Sequence, residues 1–460
     1  MSINRVLTHR GLETVSRRNT ERRVGNKMEK IESITRRMRD VTPITHLGRV
    51  RSIRAGLVSV SGLNDHASVG DRVRITLQSG DIYGEIVGLR HDLAEILPEG
   101  EAEGLSIGAP VELLFAPTIS PCDRWIGRVI DPFGQPLDGR ALPQGGQPRP
   151  FRCEAQPAIR RKRLGARLPT GLAVFDTLLP VVRGQRIGLF AGSGVGKSVL
   201  LSRFARGVQA DIVVIAMIGE RGRELREFVE NTLGPEGMAR AVIVTATSDR
   251  SPLIRRRCAW AAMAVAEHFR DQGKHVLLLA DSITRFAEAH REIALAAGEP
   301  PSYRGFPPSV SNLIMALAER AGPGLDGSGD ITAIFTVLVA GSDMEEPVAD
   351  ILRGTLDGHV ILDRAIAERG RFPAVDVVRS VSRSLPDAAS EAENAIIAKA
   401  RTALGAYAES ELMIRAGLYA PGSDKRLDEA VRLFPHLDAF VTRPSDSITN
   451  SFVALGEALQ

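Results

Sequence analysis

Between residues 186 and 338, short runs of almost wholly apolar residues alternate with segments of helical periodicity. The runs cover 186–191, 212–218, 241–246, 275–281 and 331–338. Between them the spacing predicts a helix from Lys197, one over 223–232, a long one over about 252–272 and one from Ser282. A run that is apolar at every position has no polar face for water, so each predicted strand needs cover on both sides. Helices on both faces of a mainly parallel sheet give that cover, and the chain is expected to contain an α/β domain of this kind.

The first of these strands runs into Ala191-Gly192-Ser193-Gly194-Val195-Gly196-Lys197-Ser198, followed by Val199, a glycine-rich turn that opens a helix. Successive backbone N–H groups in such a turn converge on an anion, and the helix N-terminus adds its dipole. Lys197 is placed to meet β- and γ-phosphates, and the Ser198 hydroxyl to enter a Mg²⁺ shell. The first position departs from the general motif, which asks for Gly where Ala191 stands. At the end of the 275–281 strand, Asp281 offers a second metal contact, or else caps the helix from Ser282. After the 212–218 strand, Gly219-Glu220-Arg221-Gly222-Arg223-Glu224 supplies Glu220 as a candidate base, or a surface cluster of ion pairs.

The remaining segments differ in character. Residues 1–44 carry a crowd of cations, among them Arg17, Arg18, Arg22, Arg23, Lys27, Arg36 and Arg37, with apolar residues at roughly helical spacing. They read as a basic arm, either a solvated tail or a docking element for an acidic partner or membrane surface. Residues 45–116 show short alternating runs broken by Gly, Asp and Pro, the pattern of a small β-barrel. With only Tyr83 and Phe115 as aromatic faces, it suits a structural collar better than a base-stacking platform, and no nucleic acid is expected. Residues 117–171 form a Pro- and Gly-rich connector into a domain extending to 382. Beyond 383 strand signals fade, and 388–408 and 427–434 predict a helical C-terminal domain.

At 460 residues the chain has room for about three units, each with its own core. No apolar run approaches the roughly 18 residues of a membrane span, and the first ten residues lack a signal-peptide core. A cytoplasmic location is therefore expected. Cys122, Cys153 and Cys258 are too few and scattered for a disulfide framework or zinc cluster.

Taken together, these motifs resemble the catalytic subunits of rotary-type ATPases, most closely the ATPases of flagellar and type III protein export. The resemblance is carried by Thr170-Gly171 through Asp176, the stretch from Arg183 to Ser198, Gly219 to Glu224, and Asp249-Arg250-Ser251-Pro252. It continues through Asp281-Ser282-Ile283-Thr284-Arg285-Phe286-Ala287, Gly298-Glu299-Pro300-Pro301 and Asp357-Gly358-His359. It implies a RecA-like nucleotide domain binding ATP and Mg²⁺. Within it, Glu220 polarises the attacking water, Arg221 lies near the γ-phosphate, and Arg383 reaches across a subunit boundary as an arginine finger. Phe372, beside Pro373, and Tyr419 match positions that line the adenine pocket in this family; both are also plausible core aromatics. Ser311 departs from the family, where Phe is usual, but away from the phosphates.

The resemblance further implies a homohexameric ring, peripheral at the inner-membrane export apparatus. Its partners would be a regulator or stator protein on the N-terminal arm, the export gate, chaperones and export substrates. Ala191, the basic arm and the Tyr419–Asp424 segment favour flagellar export. Virulence-type (injectisome) export is the alternative, ahead of a synthase subunit or a hexameric RNA translocase.

Overall fold

The computed structural model describes residues 44–54, 56–339 and 344–460; the basic arm expected before Asp40 lies outside them. Strands β1 (Leu47–Arg54), β2 (Leu57–Ser61), β3 (Arg72–Leu77), β4 (Gly80–Arg90), β5 (Leu93–Pro98) and β6 (Pro110–Phe115) close into an antiparallel barrel, in the order β1-β2-β5-β4-β3-β6. Alternate residues such as Val58, Val60, Val73, Ile75, Ala94 and Ile96 fill the interior and are fully buried. The alternating runs visible in the sequence, 50–60, 72–77, 83–89 and 111–115, merge β1 with β2 and pass over β5. Gly56, at φ 81°, turns the chain so tightly that no polar break separates the first two strands.

The connector does more than link. Its β7 (Thr118–Ile119) and β9 (Arg149–Pro150) pair with each other, and its β8 (Arg128–Ile130) joins the main sheet. That sheet also takes β10 (Arg186–Ala191), β11 (Ile212–Glu220), β12 (Ala241–Thr247), β13 (His275–Asp281), β14 (Gly322–Pro323), β15 (Asp330–Leu338), β16 (Gly358–Leu362) and β17 (Val375–Ser382). The order is β17-β16-β10-β15-β13-β11-β12-β8, with β14 beside β15; all pairings are parallel except β16 with β17 and β14 with β15.

The continuous apolar runs have a simple cause. In β11, Ile212, Val214, Ala216 and Ile218 enter the core under the helices Pro252–Asp271, Ile283–Ala296 and Ser309–Glu319. The intervening Val213, Ile215 and Met217 enter the opposite core, under the helix Lys197–Gly207 and the C-terminal helices. Both faces of the strand are thus covered. The helix expected over 223–232 is interrupted: Gly222–Glu227 is α-helical, Phe228–Leu233 widens into a π turn, and Gly234 at φ 67° redirects the chain.

A buried ionic network ties barrel to sheet. Glu85 of β4 accepts hydrogen bonds from Arg256 (2.5 Å) and Arg257 (3.0 Å) of the helix Pro252–Asp271, and Arg257 also reaches Glu99 at 2.8 Å. Arg72 and Arg257 both lie over the ring of Phe133. At the other end, helices Glu391–Arg415, Lys425–Thr442 and Ile448–Ala458 make the C-terminal domain, capped by Ser390, Asp424 and Ser447. The buried Asp176 anchors it, accepting from Thr170 Oγ1 (2.8 Å) and Ser451 Oγ (2.9 Å). The second helix outruns its expected end at 434 because Pro435 sits within it, where packing of Leu437, Phe440 and Val441 outweighs the lost backbone bond.

Candidate active site

β10 brings the chain to the C-terminal edge of the sheet, where Ala191 pairs with Leu338 of β15. The turn that follows needs its glycines: Gly194 and Gly196 hold φ of 78° and 86°, left-handed values that side chains disfavour. Val195 packs into the core beneath and pins the turn, and the helix begins at Lys197 with Gly196 as its N-cap. Ala191, Gly192, Ser193, Gly194, Gly196, Lys197, Ser198 and Val199 line a cavity of about 710 Å³ that also takes in Glu220 and Arg221. Backbone donors and a helix N-terminus make this an anion cradle.

Parallel register delivers the other groups to the same edge. Asp281, last residue of β13, is buried and pairs across the sheet with Met217 of β11. Its Oδ1 accepts from Thr336 Oγ1 of β15 at 2.7 Å and from Lys197 Nζ. The cap of the following helix is Ser282, which accepts from Arg285 N, so Asp281 is left to the site. In β11 the register slips between Ile218 and Glu220, with Gly219 at φ 70°; the bulge brings Glu220 Oε1 within 3.7 Å of Lys197 Nζ. Burial first, and then the negative charge of Asp281, lift the Glu220 carboxyl to about 7, against the pull of Lys197. The exposed ion pair in this segment is Arg221 with Glu224, at 3.6 Å.

One ammonium between two carboxylates above an anion cradle suits a polyphosphate. Residues 171–382 match the nucleotide-binding domain of the ATP synthase alpha/beta family, and residues 389–451 match the C-terminal domain of the type III secretion EscN ATPase. A flagellum-specific ATP synthase from Caulobacter vibrioides is 46% identical, over 91% of this chain and 97% of its own. The chain belongs to the flagellar and type III export ATPases. A type 3 secretion system ATPase from Xanthomonas euvesicatoria is 41% identical over 87% of this chain and 91% of its own. Among solved structures, assembled EscN from enteropathogenic E. coli superposes with a TM-score of 0.83 at 35% identity, over 90% of this chain and all of that one. EscN in complex with its central stalk EscO gives 0.80 at the same identity, over 90% of this chain and all of that one.

This export ATPase is a P-loop enzyme whose hydrolysis of ATP energises flagellar or type III export. Its remaining expected residues lie apart from the cavity. Phe372 is 47% exposed and lies against the turn, its ring 3.1 Å from where a Cβ on Gly196 would stand. With Pro373 it borders a second cavity of about 360 Å³. Tyr419 lines neither cavity; its hydroxyl donates to Asp428 in the C-terminal domain. Arg383 is exposed and donates to the Arg353 carbonyl at 3.2 Å. Because β17 runs antiparallel to β16, Arg383 emerges beside Gly358, at the edge opposite the turn. The length of β10 separates those edges, roughly 17 Å for five residue steps.

Thr336, Ser248, Arg285 and Glu288 were not singled out in the sequence. The last three line the main cavity, and Ser248 N donates to the Glu220 carbonyl at 3.0 Å. Arg285 lies within the Asp281–Ala287 motif, which was the available signal. No helix among the described residues is long and apolar enough to cross a membrane.

Proposed function

We propose that the chain hydrolyses Mg²⁺-bound ATP at the Gly192–Ser198 turn to drive protein export through the flagellar apparatus, acting as a homohexameric ring. The convergence of Lys197, Glu220 and Asp281 at one sheet edge carries this reading. On nucleotide entry, Lys197 exchanges its carboxylate partners for the β- and γ-phosphates. Ser198, exposed on the first helical turn, and Asp281 would hold the divalent ion. When bound, that ion would supply neutralisation of the phosphate charge. The residues fit it, since the Ser198 hydroxyl lines the cavity and the Asp281 carboxylate ends a strand at the same sheet edge, and Mg²⁺ ordinarily binds through few protein oxygens plus phosphate. Glu220 orients the water and takes its proton as the oxygen attacks the γ-phosphorus and ADP leaves. Arg221 stands by the γ-phosphate, and Arg383 serves the site of a neighbouring subunit, because its own lies across the sheet.

Assembled EscN and its complex with a central stalk support the ring and a regulatory partner. The same reading places a regulator and membrane contact on residues 1–44, with export gate, chaperones and substrates beyond; pull-down and vesicle flotation of a chain starting at Thr45 check the first two. Injectisome export is the second reading, favoured by the EscN-type C-terminal match; neighbouring genes for basal-body or needle components decide between them. The enzymatic test is direct: protein at ring-forming concentration retains labelled ATP and releases phosphate, and Lys197→Ala loses the release. Equal turnover by wild type and variant would overturn the proposal.

A further inference from the structure

The cavity beside Phe372 is lined by Gly194, Gly196, Val199, Arg203, Phe372 and Pro373, together with Leu200. It shares Gly194, Gly196 and Val199 with the phosphate cavity, so the two lie on either side of the same turn. Two of its apolar walls are uncovered: Val199 is 54% exposed and Phe372 47%. Exposed apolar groups flanking a phosphate cradle suit a flat aromatic ring, which stacks on Phe372 irrespective of which base it is. Arg203 follows Val199 by one helical turn and is half-buried on this wall. Among the described residues it has no hydrogen-bond or ion-pair partner, unlike the neighbouring Arg240, which serves the carbonyls of Ala205, Arg206, Val208 and Ala210.

We infer that Arg203 reads the edge of the nucleotide base and admits guanine alongside adenine. The inference rests on the reading of the Phe372 cavity as the base pocket. A guanidinium offers only donors. Guanine presents two adjacent acceptors, N7 and O6, that match this fork. Adenine presents an acceptor, N7, beside the N6 amino donor, so only one bond forms and the second guanidinium donor meets another donor. A residue chosen to exclude guanine would carry an acceptor at this position.

The test compares kcat/KM for GTP and ATP in the wild type, Arg203→Gln, Arg203→Met and Phe372→Ala, with Mg²⁺ saturating. The wild type is expected to use GTP within about threefold of ATP, since stacking is base-tolerant and the fork favours guanine. Glutamine pairs its amide with adenine N6 and N7, so Arg203→Gln should lower the GTP-to-ATP ratio roughly tenfold. Arg203→Met, which keeps the stem but removes the fork, should lower it less. Phe372→Ala should raise KM for both nucleotides and leave inhibition by inorganic tripolyphosphate unchanged. An unchanged ratio in Arg203→Gln, with Phe372→Ala still raising both KM values, overturns the role of Arg203 alone. If Phe372→Ala moves neither KM, the base-pocket reading fails and the inference falls with it.

Discussion

At the scale of single residues, the site is held in tension by charge. Glu220 shares Lys197 with Asp281, and its carboxyl is raised to about 7 by burial and by that second carboxylate. A carboxyl raised above its unfolded value of about 4.5 contributes stability that is full below that value and is lost as pH climbs through 7. In nucleotide-free protein, Glu220→Gln should therefore match the wild type near pH 5 and become the more stable of the two by pH 8. The gap should be at most roughly 3 kcal/mol, the equivalent of the shift. Thermal melts at several pH values check this; curves that stay parallel would sink the assignment. Of these partners, Asp281 was visible in the sequence because an acidic residue ended an apolar strand. Thr336 was not, because it lies 55 residues further along and looks like any strand threonine.

At the scale of elements, five of the parallel strands were legible, whereas the short β16 and the edge strands were not. β11 and β13 are covered on both faces, so their composition announces them. β17 alternates buried and exposed positions and includes Arg379, while β8 has only three residues, too short for any period to show. The joint between barrel and sheet was equally silent, since Glu85, Arg256 and Arg257 look like surface charges until the fold buries them. Both arginines there donate to Glu85, and Arg257 has Glu99 as a second carboxylate partner. Glu85→Ala should cost about 3–5 kcal/mol, because it leaves the buried Arg256 without a carboxylate partner. Urea denaturation measures it, and a loss below about 1 kcal/mol would mean that water reaches the site.

At the scale of the whole molecule, the reversed direction of β17 separates Arg383 from the P-loop of its own chain. Arg383→Ala should then leave nucleotide affinity of the isolated chain nearly intact. It should abolish the rise in turnover per chain as protein concentration increases, since a cation delivered in trans is worth about 10³–10⁵ in rate in related phosphoryl-transfer sites. Activity titrated against concentration reads this directly. A normal rise in the variant would assign the finger to another residue.

The barrel closes on itself, every strand paired on both sides. A surface without a free strand margin offers no backbone ladder to an incoming chain, so whatever grips the collar must do so through side chains alone. Such a mount can be refitted by surface substitution while the hydrogen-bonded cylinder stays as it is. The same engine architecture can thereby be seated in differently shaped housings.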